Sequence, residues 1–229
     1  MSYEIIVGNI RIEVIRKKIK NLHLYVQPPD GKVKITAPIR MKDEAIRNFA
    51  ISKVSWIKKH QERFHGKERE PEKEYITGEA HYYQGKPYLL NVVHTNKKQR
   101  AEIGENNQIY LYVREGSSTE KREQIMMEWY RSELKKQIPD LIAKWENNMN
   151  VKVNFWGVKM MKTRWGTCNP KAKRIWINLE LVKKDTRCLE YIVVHEMTHL
   201  LVRGHNKRFY AYMERFIPNW KDIKKELNG

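Results

Sequence analysis

Two histidines and a glutamate near the C-terminal end of the chain have the spacing of a catalytic metal site. The segment YIVVHEMTHLLVRGH, residues 191–205, contains the pattern H-E-x-x-H at His195, Glu196 and His199. Residues four apart on a helix project from one face, so both imidazoles can reach a single ion. Composition alone yields this pattern about 0.03 times per chain. The spacing therefore predicts a metal-binding helix rather than a core helix with incidental histidines.

The third ligand is predicted to be His205, because Gly204 allows the chain to turn sharply after the helix. Glu214 is the alternative, since many H-E-x-x-H enzymes use a later glutamate, but it would have to reach from further along a helix. Three protein ligands leave one position open, which is the catalytic arrangement. Imidazoles suit Zn²⁺, one per chain, although copper, nickel, cobalt or iron also bind such ligands.

The chemistry that this set of residues predicts is hydrolysis of a peptide bond. Zinc activates a water molecule and polarises a carbonyl group. Glu196 would act as the general base that takes the proton from this metal-activated water. Arg164 and Tyr210 are candidates for stabilising the negative charge that develops on the carbonyl oxygen.

A second stretch, RWGTC at 164–168, could form a strand edge beside the metal. A substrate peptide could then add to this edge as a further strand at Arg164, Trp165 and Gly166. The alternative is a packed strand in which Trp165 fills the core and Gly166 permits close approach. Cys168 is expected to be a small buried residue rather than a metal ligand.

The elements that position these residues follow from hydrophobic periodicity. Strands are predicted over residues 1–40, with a turn at 28–31, and again over 75–113. An amphipathic helix is predicted at 42–63, and the charged segment 65–74 is predicted to be a linker or exposed loop.

The C-terminal half is predicted to be mainly helical around a small sheet. Helices are expected at 118–148 (with a break before Pro139), 186–202, 207–216 and 219–227, and strands at 151–154, 158–163 and 173–177. The fold class is α+β. We expect a sheet-rich N-terminal region, 1–113, and a C-terminal domain, 114–229, with the H-E-x-x-H helix beside a small sheet.

The bulk composition indicates a globular protein with a strong positive charge. Hydrophobic residues make up 41% of the 229 residues, and the net charge is +18. The N-terminal sequence does not resemble a secretory signal, and the chain lacks an apolar run of ~18 residues, so no membrane contact is expected. The two cysteines, Cys168 and Cys188, are too few for a disulfide framework and favour a cytoplasmic location.

The positive charge also suggests a nucleic-acid partner. Residues 151–184 contain nine Lys or Arg, one acidic residue, Glu180, and the aromatic residues Phe155, Trp156, Trp165 and Trp176. Basic residues interleaved with aromatic ones can bind single strands, although solvated lysines around core aromatics are the simpler interpretation. The alternative function is thus a nucleic-acid-binding protein with a structural or degenerate zinc site. A combination of the two functions would act on DNA-associated proteins.

These motifs together resemble a known family. The segments TRWGTCNPKAKRIWINLELV and HEMTHLLVRGHNKRFYAYMERFIPNW, with the earlier KITAPIRMKDEAIRNFAISKVSWIKKH, resemble the YgjP-like metallopeptidases, which are related to the SprT-like zincins. The resemblance implies zinc ligation by His195, His199 and His205, catalysis by Glu196, and a protein or peptide substrate. Val202 stands where the metzincins need glycine, which argues against that group.

Overall fold

The computed structural model describes residues 2–27, 30–65 and 73–228, without the side chains of 63–65. The chain forms two compact units, residues 1–72 and 73–229. The boundary predicted from the sequence, at 113/114, falls within the second of these units. The structure groups residues 73–113 with the C-terminal part, because the sheet they form packs against the long helix that follows it.

The first unit is a four-stranded sheet followed by two helices. Its sheet has the order β1-β2-β4-β3, in which the central pair is parallel and the outer pairs are antiparallel. The strands are β1 (Ser2–Val7), β2 (Ile10–Lys17), β3 (His23–Gln27) and β4 (Lys32–Pro38). Alternate residues of β2 and β4 are buried in a core formed with Ile46, Ala50 and Ile57.

The helix predicted at 42–63 is two helices, α1 (Asp43–Ser52) and α2 (Val54–His65). The chain leaves helical geometry at Lys53, whose N–H donates to the carbonyl of Ala50 in a tighter turn. The apolar periodicity continues across this break, so the pattern alone did not reveal it. Trp56 on α2 is exposed and stacks on His60.

The second unit begins with a sheet of the same topology. Its order is β5-β6-β8-β7, again with a parallel central pair. The strands are β5 (Ala80–Tyr83), β6 (Lys86–His94), β7 (Arg100–Ile103) and β8 (Gln108–Val113). β7 and β8 form a hairpin, and Asn106 and Asn107 in its turn adopt positive φ.

One long helix, α3 (Thr119–Met149), connects this sheet to the C-terminal part. Ser118 caps its first turn, and Asn150 ends it in the left-handed conformation. The predicted break before Pro139 is absent, and buried Ile138 and Ile142 flank the proline. Different parts of α3 pack against β7 and β8, and against the helix that carries the histidines.

A three-stranded sheet and three helices complete the second unit. The strands are β9 (Phe155–Lys159), β10 (Gly166–Asn169) and β11 (Arg174–Asn178), in the order β10-β11-β9, so β10 is an edge strand. The predicted strands at 151–154 and 158–163 were therefore misplaced. A short 3₁₀ helix (Leu179–Lys183) leads to α4 (Thr186–Thr198), α5 (Lys207–Phe216) and α6 (Trp220–Asn228).

The remaining predictions from the sequence concern two loop segments, membrane spans and the fold class. The predicted linker at 65–74 falls mostly outside the described residues, as does part of the turn at 28–31. No described helix is both long enough and apolar enough to cross a membrane. The fold class predicted from the sequence, α+β, is confirmed.

Candidate metal centre

Helix α4 presents the first two histidines of the H-E-x-x-H pattern. Asp185 caps its N-terminus by accepting a hydrogen bond from the N–H of Arg187, and its apolar residues are buried. The helix ends at Thr198, earlier than predicted, and the buried Thr198 hydroxyl donates to the carbonyl of Val194 at 2.7 Å. His199 retains helical backbone angles as the C-cap residue, so it still projects on the same face as His195.

A sharp turn returns the chain to this face and brings in His205. Gly204 has φ of +80°, a conformation that favours glycine. Asn206 then begins α5, and its side chain accepts a hydrogen bond from the N–H of Phe209 at 3.0 Å. Both signals are visible in the sequence, and they fix the position of His205 between two helices.

The three imidazoles converge on one point. Their candidate ligand atoms all lie within 4.8 Å of one another, and the Nε2 atoms of His195 and His205 are 3.0 Å apart. Nitrogens that share a tetrahedral zinc ion are about 3.4 Å apart, so these separations suit a common ion. Nδ1 of His199 lies 3.4 Å from the carbonyl oxygen of Val202, a bond that would leave Nε2 free for the metal.

Phe209 forms the floor of this site, a role that the sequence analysis did not assign. Phe209 is buried, and its ring centroid lies 4.9, 4.8 and 4.7 Å from the ring centroids of His195, His199 and His205, respectively. The sequence showed Phe209 only as one apolar residue of an amphipathic helix. Its position three residues after the capping Asn206 was the available signal.

The electrostatics of the site suit a cation held by neutral imidazoles. Burial, with smaller effects from His199, His205 and Lys224, lowers the pKa of His195 to about 3. Burial also lowers the pKa of His199. Metal binding requires the neutral imidazole, so the protein does not have to displace protons from these two groups near neutral pH. The donor set therefore fits a divalent transition metal.

Glu196 lies beside the triad, buried against the edge strand β10. Burial raises the pKa of its carboxyl to about 8, although the charge of Arg164 lowers it. A Cβ added to Gly166 would lie 2.7 Å from both Cγ and Oε1 of Glu196, so only glycine allows this approach. The predicted close approach at Gly166 is thus an approach to Glu196.

Asn178 holds the segment before β10 in place and was missed by the sequence analysis. Its buried side-chain amide donates to the carbonyls of Met161 and Arg164 at 2.9 and 2.8 Å. Its side-chain oxygen accepts from the N–H of Met161 and of Glu180. A buried amide with this many partners fixes the backbone on both sides, and so positions Arg164 and the start of β10.

A cleft of about 750 Å³ runs between β10, the histidines and the end of α6. Arg164, Trp165 and Gly166 all line it, and the indole N–H of Trp165 donates to Asn228 at 3.4 Å. Trp165 is half-buried, so it is neither a core residue nor freely exposed. β10 is an edge strand, as the first interpretation expects, and Gly166 makes a close approach, as the second expects, but Trp165 packs only partly against the core.

The remaining candidates lie outside the triad. Glu214 accepts a hydrogen bond from the indole of Trp220 at 2.9 Å and pairs with Lys221, so its carboxylate is engaged on α6. Cys168 lines the cleft, and burial followed by the charge of Glu196 raises its thiol pKa to about 12. Such a thiol stays protonated, which disfavours metal binding. Tyr210 stacks on His205 and lines a smaller recess beside the cleft.

The fold and the site together define a metallopeptidase-like protein, and the comparisons with known proteins identify the family. The model of the family described as "YgjP-like, metallopeptidase domain" matches residues 20–229, a range that includes parts of both compact units. The chain belongs to the YgjP-like metallopeptidase family. It is accordingly a peptidase of a class that uses a divalent metal and acts on proteins or peptides.

Two solved structures are among those similar to the chain, at low similarity. The metallopeptidase zymogen abylysin of Pyrococcus abyssi has 18% identity and a TM-score of 0.37, covering 39% of this chain and 90% of that one. The metallopeptidase zymogen jannalysin of Methanocaldococcus jannaschii has 22% identity and a TM-score of 0.35, covering 39% and 92%. No curated protein matches the chain.

Proposed function

We propose that the protein is a zinc-dependent metallopeptidase in which His195, His199 and His205 hold the metal. The observation that carries this proposal is the convergence of three imidazoles on one point beside the buried carboxyl group of Glu196. A zinc ion held there would polarise the scissile carbonyl and activate a water molecule. One zinc per chain is expected, with the fourth position open.

Glu196 acts as the general base in this proposal. Its carboxylate takes a proton from the attacking water while the water oxygen bonds to the carbonyl carbon. As the carbon–nitrogen bond breaks, Glu196 passes that proton to the leaving nitrogen. The burial that raises its pKa makes the carboxylate a stronger base for the first of these two transfers, and a bound cation would lower the pKa from the value of about 8.

The substrate is proposed to lie along the edge of β10. An edge strand has unpaired backbone groups that an extended peptide can bind. Gly166 would bring that peptide close to Glu196. Arg164 is the first candidate for stabilising charge on the carbonyl oxygen, because it lines the cleft and its charge already affects Glu196. Tyr210 is the second candidate.

The decisive test is the Glu196→Gln variant. Hydrolysis should fall by about 10²–10⁴-fold while zinc content, measured by elemental mass spectrometry, stays at one per chain. His199→Ala should lose both zinc and activity. Glu190→Gln on the same helix is the matched control, because Glu190 bonds to Lys144 and Trp145 outside the cleft. Undiminished hydrolysis by Glu196→Gln would contradict the proposed mechanism.

We also propose a nucleic-acid contact, which one surface feature favours. The ring centroids of Trp176 and the exposed Phe155 are 5.4 Å apart. The ammonium of Lys159 lies 4.9 Å from the centroid of the Trp176 ring. Every Lys and Arg between residues 151 and 174 is exposed, and this range contains no acidic residue. Bases could stack on such a face.

A labelled single-stranded oligonucleotide tests this contact. Its affinity should fall steeply between about 50 and 200 mM salt and should weaken in Trp176→Ala. Absence of binding at about 50 mM salt would contradict it.

A cytoplasmic location also stays a prediction. Both cysteines are free in the structure.

A further inference from the structure

The cleft beside the three histidines carries uncompensated positive charge. Arg164, Arg203 and Lys224 line it, and the one acidic residue among the described residues that line it is Glu196. The ion pairs of the described chain include none of these three cations. Since Glu196 is assigned to catalysis, the charge of the cations is available to a substrate.

The three cations come from separate parts of the second unit. Arg164 precedes β10 and is held by Asn178, Arg203 lies in the turn after α4, and Lys224 lies on α6. They therefore border the cleft from several sides. A substrate carrying lysine or arginine near the scissile bond would meet repulsion, and a divalent ion would increase it.

Of the three cations, Lys224 has the surroundings that would best distinguish one substrate side chain from another, because it also lines a second cavity. It lines the cleft and also the adjoining recess of about 200 Å³. Tyr210 and Trp220 form aromatic walls there, stacked 5.4 Å apart at 18°, and the Lys224 ammonium lies 5.7 Å from the centre of the Trp220 ring. A side chain with an apolar stem and a terminal carboxylate matches apolar walls beside one ammonium group.

We propose that the cleft selects acidic peptides and that Lys224 binds a carboxylate side chain next to the scissile bond. This inference rests on the proposed peptidase function for the identity of the ligand as a peptide. The charge pattern itself does not depend on the chemistry of hydrolysis, so binding and cleavage can be tested apart.

The first experiment measures binding without turnover. Zinc-loaded Glu196→Gln protein is titrated into labelled peptides that differ only in carrying Glu, Gln or Lys beside one fixed peptide bond. Fluorescence anisotropy should give affinities in the order Glu, Gln, Lys, with about tenfold between neighbours at low salt. The difference should shrink at about 0.5 M salt, because salt screens exposed charges. Equal affinity for all three peptides would overturn the proposal.

The second experiment reverses the charge. Lys224→Glu, made in the same background, should favour the Lys peptide over the Glu peptide. Lys225→Glu is the matched control, because it makes the same charge change one residue along α6 at an exposed position that does not line the cleft. It should retain the preference for Glu. Lys224→Gln, which should remove the preference without reversing it, gives the answer if the reversed variant does not fold.

Two further outcomes separate the inference from the proposed function. If acidic peptides bind in a Lys224-dependent way but the wild-type protein hydrolyses none of them, the peptidase mechanism fails and the charge selection stands. If wild-type protein cleaves Glu and Lys peptides equally well, the selection fails and the peptidase function stands. Displacement of the Glu peptide by a single-stranded oligonucleotide, again dependent on Lys224, would overturn the assignment of the cleft to peptides.

Discussion

The two four-stranded sheets of the molecule share one topology but differ in what they support. Both have a parallel central pair flanked by antiparallel strands, and both begin with a two-residue hairpin turn, at 8–9 and at 84–85. Buried residues alternate in the same way: Val33, Ile35 and Ala37 in β4 correspond to Ile109, Leu111 and Val113 in β8. The two sequences show no obvious repeat, so the likeness lies in pattern and turns.

The difference arises from the helix that follows each sheet. After β4 the chain forms two short helices, and the sheet completes a core of its own. After β8 it forms the 31-residue helix α3, whose buried residues continue into the core beneath α4 and the histidines. The same sheet topology is thus a closed unit in one case and part of the support for a functional site in the other.

The largest effect should come from shortening one buried side chain in each helix. Ile138 on α3 and Ile46 on α1 are both fully buried. Replacing either with alanine should lower the free energy of unfolding of its unit by about 2–5 kcal/mol, through lost burial and a cavity. Urea denaturation followed by circular dichroism would measure this. Zinc affinity, measured by chelator competition, should weaken only in Ile138→Ala; an equal loss in Ile46→Ala would break the comparison.

A smaller effect should distinguish the sheets by their response to acid. His81 in β5 occupies the position that Ile5 has in β1, three residues before the first residue of the hairpin turn. Burial lowers the pKa of His81, while Glu79, 3.3 Å away, raises it and Lys73 and Lys183 lower it. A histidine with a lowered folded pKa contributes stability above its unfolded pKa of about 6.5, and that stability is lost as the pH falls below this value.

The acid loss due to His81 should appear as the pH falls from about 7.5 to 5.5, through the unfolded pKa. His81→Gln should therefore lose less stability than the wild type when urea denaturation is compared at the two pH values. The difference between the two proteins isolates His81 from His195 and His199, whose pKa values are also lowered. Identical acid loss in both proteins would mean that His81 does not titrate differently on unfolding.

The smallest effect should follow from removing the first unit. The buried cores of the two units share no residue among those described, so residues 73–229 should fold alone and bind one zinc. Sites without shared partners are independent within about 0.3–0.5 kcal/mol, which sets the expected change in zinc affinity. Calorimetric titration of zinc into the fragment and the full chain would measure it. A fragment that stays unfolded would show that the first unit supports the second.

The parts of the candidate site that could be predicted are those encoded by neighbouring residues. The convergence of His195 and His199 follows from helical spacing, and the return of His205 follows from Gly204 and the capping Asn206. The positions of β9 and β10 were predicted less well. Trp156 and Trp165 are only half-buried, so apolar periodicity gave a weak signal there.

The α+β class, most of the helices and the histidine pattern can be read from the amino-acid sequence, because caps, turns and periodicity act over a few residues. The edge position of β10, the contact of Gly166 with Glu196 and the place of Phe209 under the imidazoles depend on the folded chain. The hydrogen bond from Asn178 to the carbonyl of Arg164, before β10, likewise depends on the folded chain. These contacts join residues far apart in the chain, and local periodicity carries no information about which distant segments will pair.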